Sequence, residues 1–92
     1  MSGRQYVWTD GGLTDARHRG IALNEVDEAL YAPVGLRFER RLDELLVVMG
    51  MATTGRVVAA VCEPTPQPRT YQILRVRTVA GPELDEWRRQ VL

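Results

Sequence analysis

Two apolar segments separated by a short turn constrain this chain more than any other feature. Residues 44–51 read Glu-Leu-Leu-Val-Val-Met-Gly-Met, residues 56–63 read Arg-Val-Val-Ala-Ala-Val-Cys-Glu, and Ala-Thr-Thr-Gly lies between them. Apolar runs of this length, bounded by turn residues, are typical of neighbouring central strands. The sequence therefore predicts a β-hairpin at the centre of a sheet.

The segments around this hairpin predict further strands and helices. Helical spacing of apolar residues and acidic first turns indicate helices, while β-branched and aromatic runs indicate strands. Proline ends the second helix at Pro33 and makes a stiff loop of residues 64–68. In chain order we expect a strand at 5–8, a weak helix at 13–19, a helix at 24–31, a strand at 34–38, a connection at 40–43, strands at 44–51, 56–63 and 70–79, and a helix from Pro82 to Arg89.

This order predicts one α+β domain spanning residues 1–92. Consecutive strands joined by short turns favour an antiparallel sheet of four to five strands. Two N-terminal helices and one C-terminal helix accompany it, and we expect the helices on one face of the sheet and at its end. Strict alternation along residues 70–79 then puts Tyr71, Ile73, Arg75 and Arg77 on one face, and Gln72, Leu74, Val76 and Thr78 on the other.

Charge narrows the range of functions. The 92 residues carry twelve arginines, no lysine and twelve acids, for a formal net charge of zero. A neutral sum argues against a strong, non-specific nucleic-acid binder but allows a local basic face. The choice of arginine has two interpretations: a GC-rich coding sequence, or a need for the planar guanidinium in phosphate binding.

Composition disfavours several other classes. The single cysteine, Cys62, cannot form an internal disulfide, and its apolar strand predicts a buried hydrophobic role. One cysteine and one histidine do not make a zinc site, and there is no glycine-rich phosphate loop, so no metal or cofactor is expected. No apolar run is long enough to span a membrane and no signal segment opens the chain, so we expect a cytoplasmic protein.

The order of these elements and the sequence motifs where they connect resemble the BrnT family of bacterial type II toxins. Members of that family are small ribonucleases of RelE-like architecture. The resemblance covers residues 6–89 through diffuse motifs: Val7-Trp8-Thr9-Asp10, His18-Arg19-Gly20-Ile21 before an acidic helix, Gly50 to Gly55-Arg56, Ile73-Leu74-Arg75-Val76-Arg77, and a final helix containing Trp87. Arg77 falls on the arginine of the family's strand. The chain departs from the family where Arg19 takes the place of a histidine and Arg75 that of a serine.

The resemblance implies a metal-free ribonuclease that acts on RNA and is neutralised by a protein antitoxin. In the family the antitoxin is a DNA-binding protein of ribbon-helix-helix type, and its contacting segment is expected to be acidic and to cover a basic sheet face. The competing hypothesis is a non-enzymatic module of the same fold that binds a protein partner. A small exposed sheet face also favours pairing with a second copy of the chain.

RNA cleavage requires a group that removes the 2′-hydroxyl proton, a group that protonates the leaving oxygen, and cations that stabilise the phosphorane charge. Arginine is suited to the cationic role and histidine to proton transfer near neutral pH. The predicted catalytic residues are Arg77, Arg75, Arg56, His18 and Glu44, and the predicted substrate-binding residues are Arg19, Arg37 and Tyr71.

Each of these residues also has a purely structural interpretation. Arg75 and Arg77 would lie on a solvated face or pair with Glu44 and Glu63, and Arg56 would be an ordinary residue at the edge of a turn. His18 would be a surface or capping residue, Tyr71 a half-buried strand aromatic, and Arg37 part of a solvated turn with Arg40 and Arg41.

Overall fold

The computed structural model describes residues 3–91 as an α+β fold with a five-stranded sheet and three α-helices. In chain order the elements are β1 (Gln5–Trp8), α1 (Asp10–His18), α2 (Leu23–Leu30), a short 3-10 helix (Val34–Leu36), β2 (Arg37–Leu42), β3 (Leu45–Met51), β4 (Val57–Pro64), β5 (Thr70–Thr78) and α3 (Pro82–Val91). None of the helices within residues 3–91 is long and apolar enough to cross a membrane.

The sheet is mixed, with strand order β1-β5-β4-β3-β2. Strands β2 to β5 form the expected antiparallel meander, but β1 pairs with β5 in parallel, with Gln5 opposite Thr70 and Trp8 opposite Ile73. The expectation of a wholly antiparallel sheet is therefore wrong at one edge. The two helices after β1 carry the chain across the sheet, so β2 joins the far edge and β1 remains beside the last strand.

One face of the sheet, here called the α1/α2 face, packs against the first two helices. Val26, Ala29 and Leu30 of α2 and Ala16 of α1 are buried against strand residues that include Val48, Val58, Ala60, Cys62, Ile73 and Val76. This layer confirms the apolar stripe that the sequence predicts for the second helix.

The opposite face, here called the α3 face, has its own core, which corrects the expectation that the helices share one face. Trp87 of α3 is buried with Val47, Met49, Val57 and Ala59, and its indole Nε1–H donates to the Met49 carbonyl at 3.1 Å. The physical reason lies in the two apolar runs, whose alternate residues all need cover from water. One helical layer can cover only half of them.

Three predicted boundaries also change. The segment expected as a strand at 34–38 begins as a 3-10 helix. Strand β2 extends to Leu42 and so includes most of the residues 40–43 that were expected to form a connection. Because β2 is an edge strand, its arginines reach solvent, and this is a common way to protect a sheet edge. Helix α1 begins earlier than predicted, at Asp10, and so contains Gly11 and Gly12.

The central hairpin is held against α2 at two places. At Gly50 of β3 the helix backbone passes so closely that an added Cβ would lie 2.1 Å from the Ala29 carbonyl oxygen. At the β3–β4 turn, the Glu28 carboxylate accepts hydrogen bonds from both the backbone N–H and the hydroxyl of Thr53, each at 2.9 Å. These contacts fix where the helix crosses the sheet.

We predict that Gly50→Ala destabilises the protein strongly, because the new methyl group meets a backbone carbonyl that cannot rotate away. Overpacking of this kind costs about 1–3 kcal/mol. Urea unfolding monitored by circular dichroism measures the loss. Gly35→Ala is the matched control, because a Cβ there meets nothing within 4 Å. Equal stability of the two variants would contradict the close approach.

Candidate functional site

A β-bulge in β5 decides which way the predicted arginines point. Arg75 lies opposite Val61 and Arg77 opposite Ala59, but Ile73 lies opposite Cys62, so Leu74 has no partner on β4. The extra residue reverses the alternation of side chains. The predicted alternation is therefore wrong across the bulge: Ile73 and Val76 are both buried in the α1/α2 core, whereas Arg75 and Arg77 lie on the α3 face.

Helix α1 satisfies the backbone groups around this bulge. The Thr9 hydroxyl, at the start of the helix, donates to the Ile73 carbonyl at 2.6 Å and accepts from the Gly12 N–H at 2.9 Å. One turn later the Asp15 carboxylate accepts from the Val76 N–H at 2.9 Å. Gly12 permits this contact, since a Cβ there would lie 2.5 Å from the Ile73 carbonyl oxygen. Gly12, which weakens α1 by propensity, is therefore used for close packing.

The same junction gathers four of the predicted site residues. Two adjoining clefts, of about 180 and 390 Å³, share Asp15 and Arg75 in their walls. The first is also lined by Arg19 and Arg77, and the second by His18. We call the two clefts together the β5-edge groove, with His18, Arg19, Arg75 and Arg77 as its cationic or protonatable side chains.

Carboxylates neutralise two of these arginines. Arg77 binds Glu83 of α3 with both terminal guanidinium nitrogens, Nη2 lying 2.6 Å from Oε2. This pairing lowers the pKa of Glu83 and raises that of Arg77. Arg19 Nε lies 3.1 Å from Asp15 Oδ1 across one helical turn.

Arg75 differs from its neighbours. Its side chain is exposed, and it makes no ion pair or side-chain hydrogen bond with any residue between 3 and 91. The structural interpretation that paired it with Glu44 or Glu63 is not what the structure shows: Glu63 bonds to Gln72, and Glu44 lies in the β2–β3 turn. Arg75 is thus the groove's free cation within the part of the chain that the structure describes.

Two predicted catalytic residues lie outside the groove. Glu44 is separated from β5 by strands β3 and β4. Arg56 Nη1 lies 3.3 Å from Glu25 Oε1, and Glu25 is almost fully buried. Glu25 also accepts from the Thr54 hydroxyl at 2.8 Å and the Ala22 N–H at 3.2 Å. These bonds, with that to Thr54 the strongest, hold its pKa below the usual range, so Arg56 completes a structural network that joins α2 to the hairpin turn.

The two remaining predicted residues, Arg37 and Tyr71, lie in a second place, where Arg4 and Glu39 link them. They belong to what we call the arginine–tyrosine cluster, on the α1/α2 face near the start of β5: Arg4, Tyr6, Tyr31, Arg37, Glu39, Arg41 and Tyr71. Sequence reasoning missed Arg4, Tyr6 and Tyr31 because they come from separate elements. The alternation of 37, 39 and 41 along one strand was the available signal for Arg41.

Ion pairs and hydrogen bonds tie the cluster together. Glu39 Oε2 lies 2.6 Å from Arg4 Nη1 and 3.1 Å from Arg37 Nε, and Glu39 raises the pKa of Arg4. Arg41 Nη2 donates to the Tyr71 hydroxyl at 3.1 Å, and the Arg4 guanidinium lies 5.7 Å from the centre of the Tyr71 ring. A cavity of about 320 Å³ opens beside Arg4, Arg37 and two of the tyrosines.

Cys62 belongs to the buried core against which Tyr6 and Tyr71 pack, and it is not a reactive group. Its side chain is fully buried, and burial raises the pKa of its thiol to about 12, which confirms the predicted hydrophobic role. Within residues 3–91, histidine, cysteine and acidic side chains form no group of three or more that could hold a metal ion.

No protein-family model matches the chain, and no curated protein matches its sequence.

We predict that Asp15→Asn destabilises the protein at neutral pH, by about 1.5 kcal/mol, the typical value of a hydrogen bond to a charged group. Folding lowers the pKa of Asp15, mainly through the Val76 N–H and then through Arg19. The stabilisation is therefore present above the unfolded-state pKa of about 3.9 and is lost as the pH falls through the lower folded-state value.

Urea unfolding of both proteins at pH 7 and at successively lower pH measures this difference, which should shrink below about pH 4. Asp10→Asn, in the first turn of the same helix, is the control, and we expect it to change stability by less than about 0.5 kcal/mol. A difference between wild type and Asp15→Asn that stays constant with pH would show that the carboxylate charge does not stabilise the bulge.

Proposed function

We propose that this chain is a metal-free ribonuclease resembling the BrnT toxins, and that the β5-edge groove binds the RNA phosphate. The observation that carries the proposal is the exposed guanidinium of Arg75, which forms no ion pair within residues 3–91 and lies in one groove with His18, Arg19 and Arg77. A free guanidinium can form two parallel hydrogen bonds with phosphate oxygens. Such donors stabilise the charge that develops on a phosphorane.

The groove supports a division of roles. Arg75 binds the scissile phosphate, and Arg19 and Arg77 add positive potential that Asp15 and Glu83 partly cancel. His18 protonates the 5′-oxygen as its bond to phosphorus breaks and the 2′-oxygen forms the new bond. Glu44 is separated from β5 by strands β3 and β4, so it does not act as the base. Asp15 already accepts hydrogen bonds from the Val76 N–H and from Arg19. The 2′-hydroxyl proton therefore passes to water.

The same groove would be the surface that an antitoxin covers. An acidic segment of a ribbon-helix-helix protein, as the family resemblance implies, would pair with Arg75 and exclude RNA. Neutralisation and catalysis would then depend on the same guanidinium.

One observation favours the competing function, a non-enzymatic module that binds a protein partner. Arg56 and Arg77, two of the predicted catalytic arginines, are already paired with Glu25 and Glu83. Arginines held in this way stabilise the fold and are poorly available to a substrate. Under this alternative Arg75 would recognise an acidic partner and no RNA would be cleaved.

We predict that induced expression of the wild-type chain arrests bacterial growth and that Arg75→Gln relieves the arrest. Glutamine keeps much of the side-chain length but removes the charge, so phosphate binding is lost while packing is preserved. Loss of a transition-state donor typically reduces a rate on the order of 10²-fold. Cleavage of a labelled single-stranded RNA by the purified protein at low salt measures this rate directly.

Arg69→Gln is the matched control, because Arg69 is an exposed arginine in the loop before β5 and lines neither cleft. Arg77→Ala is a weaker test, since it also breaks the bond between β5 and α3 and so lowers stability. If the wild type leaves RNA intact and growth unaffected, the ribonuclease proposal fails. If Arg69→Gln and Arg75→Gln are equally impaired, the assignment of the groove fails.

A further inference from the structure

The arginine–tyrosine cluster has an excess of positive charge. Its three guanidinium groups, from Arg4, Arg37 and Arg41, face a single carboxylate, Glu39, which is shared by the first two. Among residues 3–91, the Arg41 guanidinium donates only to the Tyr71 hydroxyl. Within the cluster two positive charges are therefore uncompensated, which suits an anion with more than one charged oxygen.

Some of its donors also remain available. Arg37 donates from Nη1 to the Leu30 carbonyl and Arg4 from Nη1 to the Tyr6 hydroxyl, while Glu39 Oε2 lies within ion-pair distance of both side chains. The Nη2 group of Arg37, and Nε and Nη2 of Arg4, donate to no atom of residues 3–91. Guanidinium groups already held by their other nitrogens lose little further freedom when they bind an anion.

The tyrosines supply an aromatic wall beside these donors. The Tyr6 and Tyr31 rings lie edge to face at 5.4 Å, and the Tyr6 and Tyr71 rings are 6.2 Å apart. Tyr31 is 54% exposed although it lies at the rim of the cavity. An exposed ring held in place by a neighbouring ring is a platform on which a planar base can stack.

Size, charge and aromatic surface point to one ligand class. The cavity of about 320 Å³ is within the range of small-molecule sites. We propose that it binds a nucleotide, with the base against Tyr31 and Tyr6 and the phosphate on Arg4 and Arg37, the two arginines that line the cavity. Both a free mononucleotide and the 5′-terminal nucleotide of an RNA present this chemistry. The proposal is independent of RNA cleavage, because the β5-edge groove shares none of these residues.

Calorimetric titration of the purified chain with each of the four ribonucleoside 5′-monophosphates tests the proposal. At least one should bind at least tenfold more tightly than both its nucleoside and inorganic phosphate, because only the nucleotide uses both halves of the site. Arg37→Gln and Tyr31→Ala should each weaken this binding by at least tenfold. A 5′-phosphorylated trinucleotide, titrated in parallel, identifies the source: tighter binding than the monophosphate assigns an RNA end, and equal or weaker binding a free nucleotide.

Arg89→Gln is the control, because Arg89 is an exposed arginine on α3, on the opposite face of the sheet. Tyr31→Ala keeps the test decisive if Arg37→Gln fails to fold, since Tyr31 is largely exposed. Binding no tighter than that of inorganic phosphate, or unaffected by Tyr31→Ala, overturns the proposal. Arg75→Gln separates the two sites: it should reduce RNA cleavage on the order of 10²-fold and leave mononucleotide binding unchanged.

Discussion

The junction between α1 and the bulge of β5 is the contact on which the sheet edge and the proposed groove both depend. Beyond Ile73, β5 has no β1 partner, so its backbone groups would face water or remain unpaired. Thr9 and Asp15 supply the missing partners from the side of a helix, and Gly12 lets that helix approach closely enough. A carboxylate that accepts a backbone N–H in this way is a strong interaction, since one partner is charged.

The bulge also explains how one strand serves two different surfaces. Before Leu74, Tyr71 faces the α1/α2 side and joins the arginine–tyrosine cluster. After it, Arg75 and Arg77 face the α3 side, while the buried residues Ile73 and Val76 remain in one core. Without the extra residue, strict alternation would put either the arginines or the apolar residues on the wrong side of the sheet.

Ion pairs between acids of the helices and arginines account for part of the zero net charge. Asp15 engages Arg19, Glu25 engages Arg56, and Glu83 engages Arg77, so acids of the helices neutralise arginines around the sheet. The positions of Glu25 and Glu83 near helix starts favour them through the helix dipole as well. At the two proposed sites some positive charge remains: within residues 3–91, Arg75 of the groove and Arg41 of the cluster form no ion pair. A neutral sum is thus compatible with two confined cationic sites.

Local sequence patterns are enough to specify the elements that depend on neighbouring residues alone. Apolar runs on either side of a glycine turn specify the β3–β4 hairpin, and acidic starts and helical spacing specify α2 and α3. The sequence also identified His18, Arg19, Arg75 and Arg77 as candidates, although not that they share a groove. Four features follow only from the three-dimensional arrangement: the parallel pairing of β1, the placement of α3 on the opposite face, the bulge at Leu74 and the ion pair of Arg4 with Glu39. Each of these depends on residues far apart in the chain, and side-chain alternation carries no information about where a strand gains an extra residue or which edge it joins.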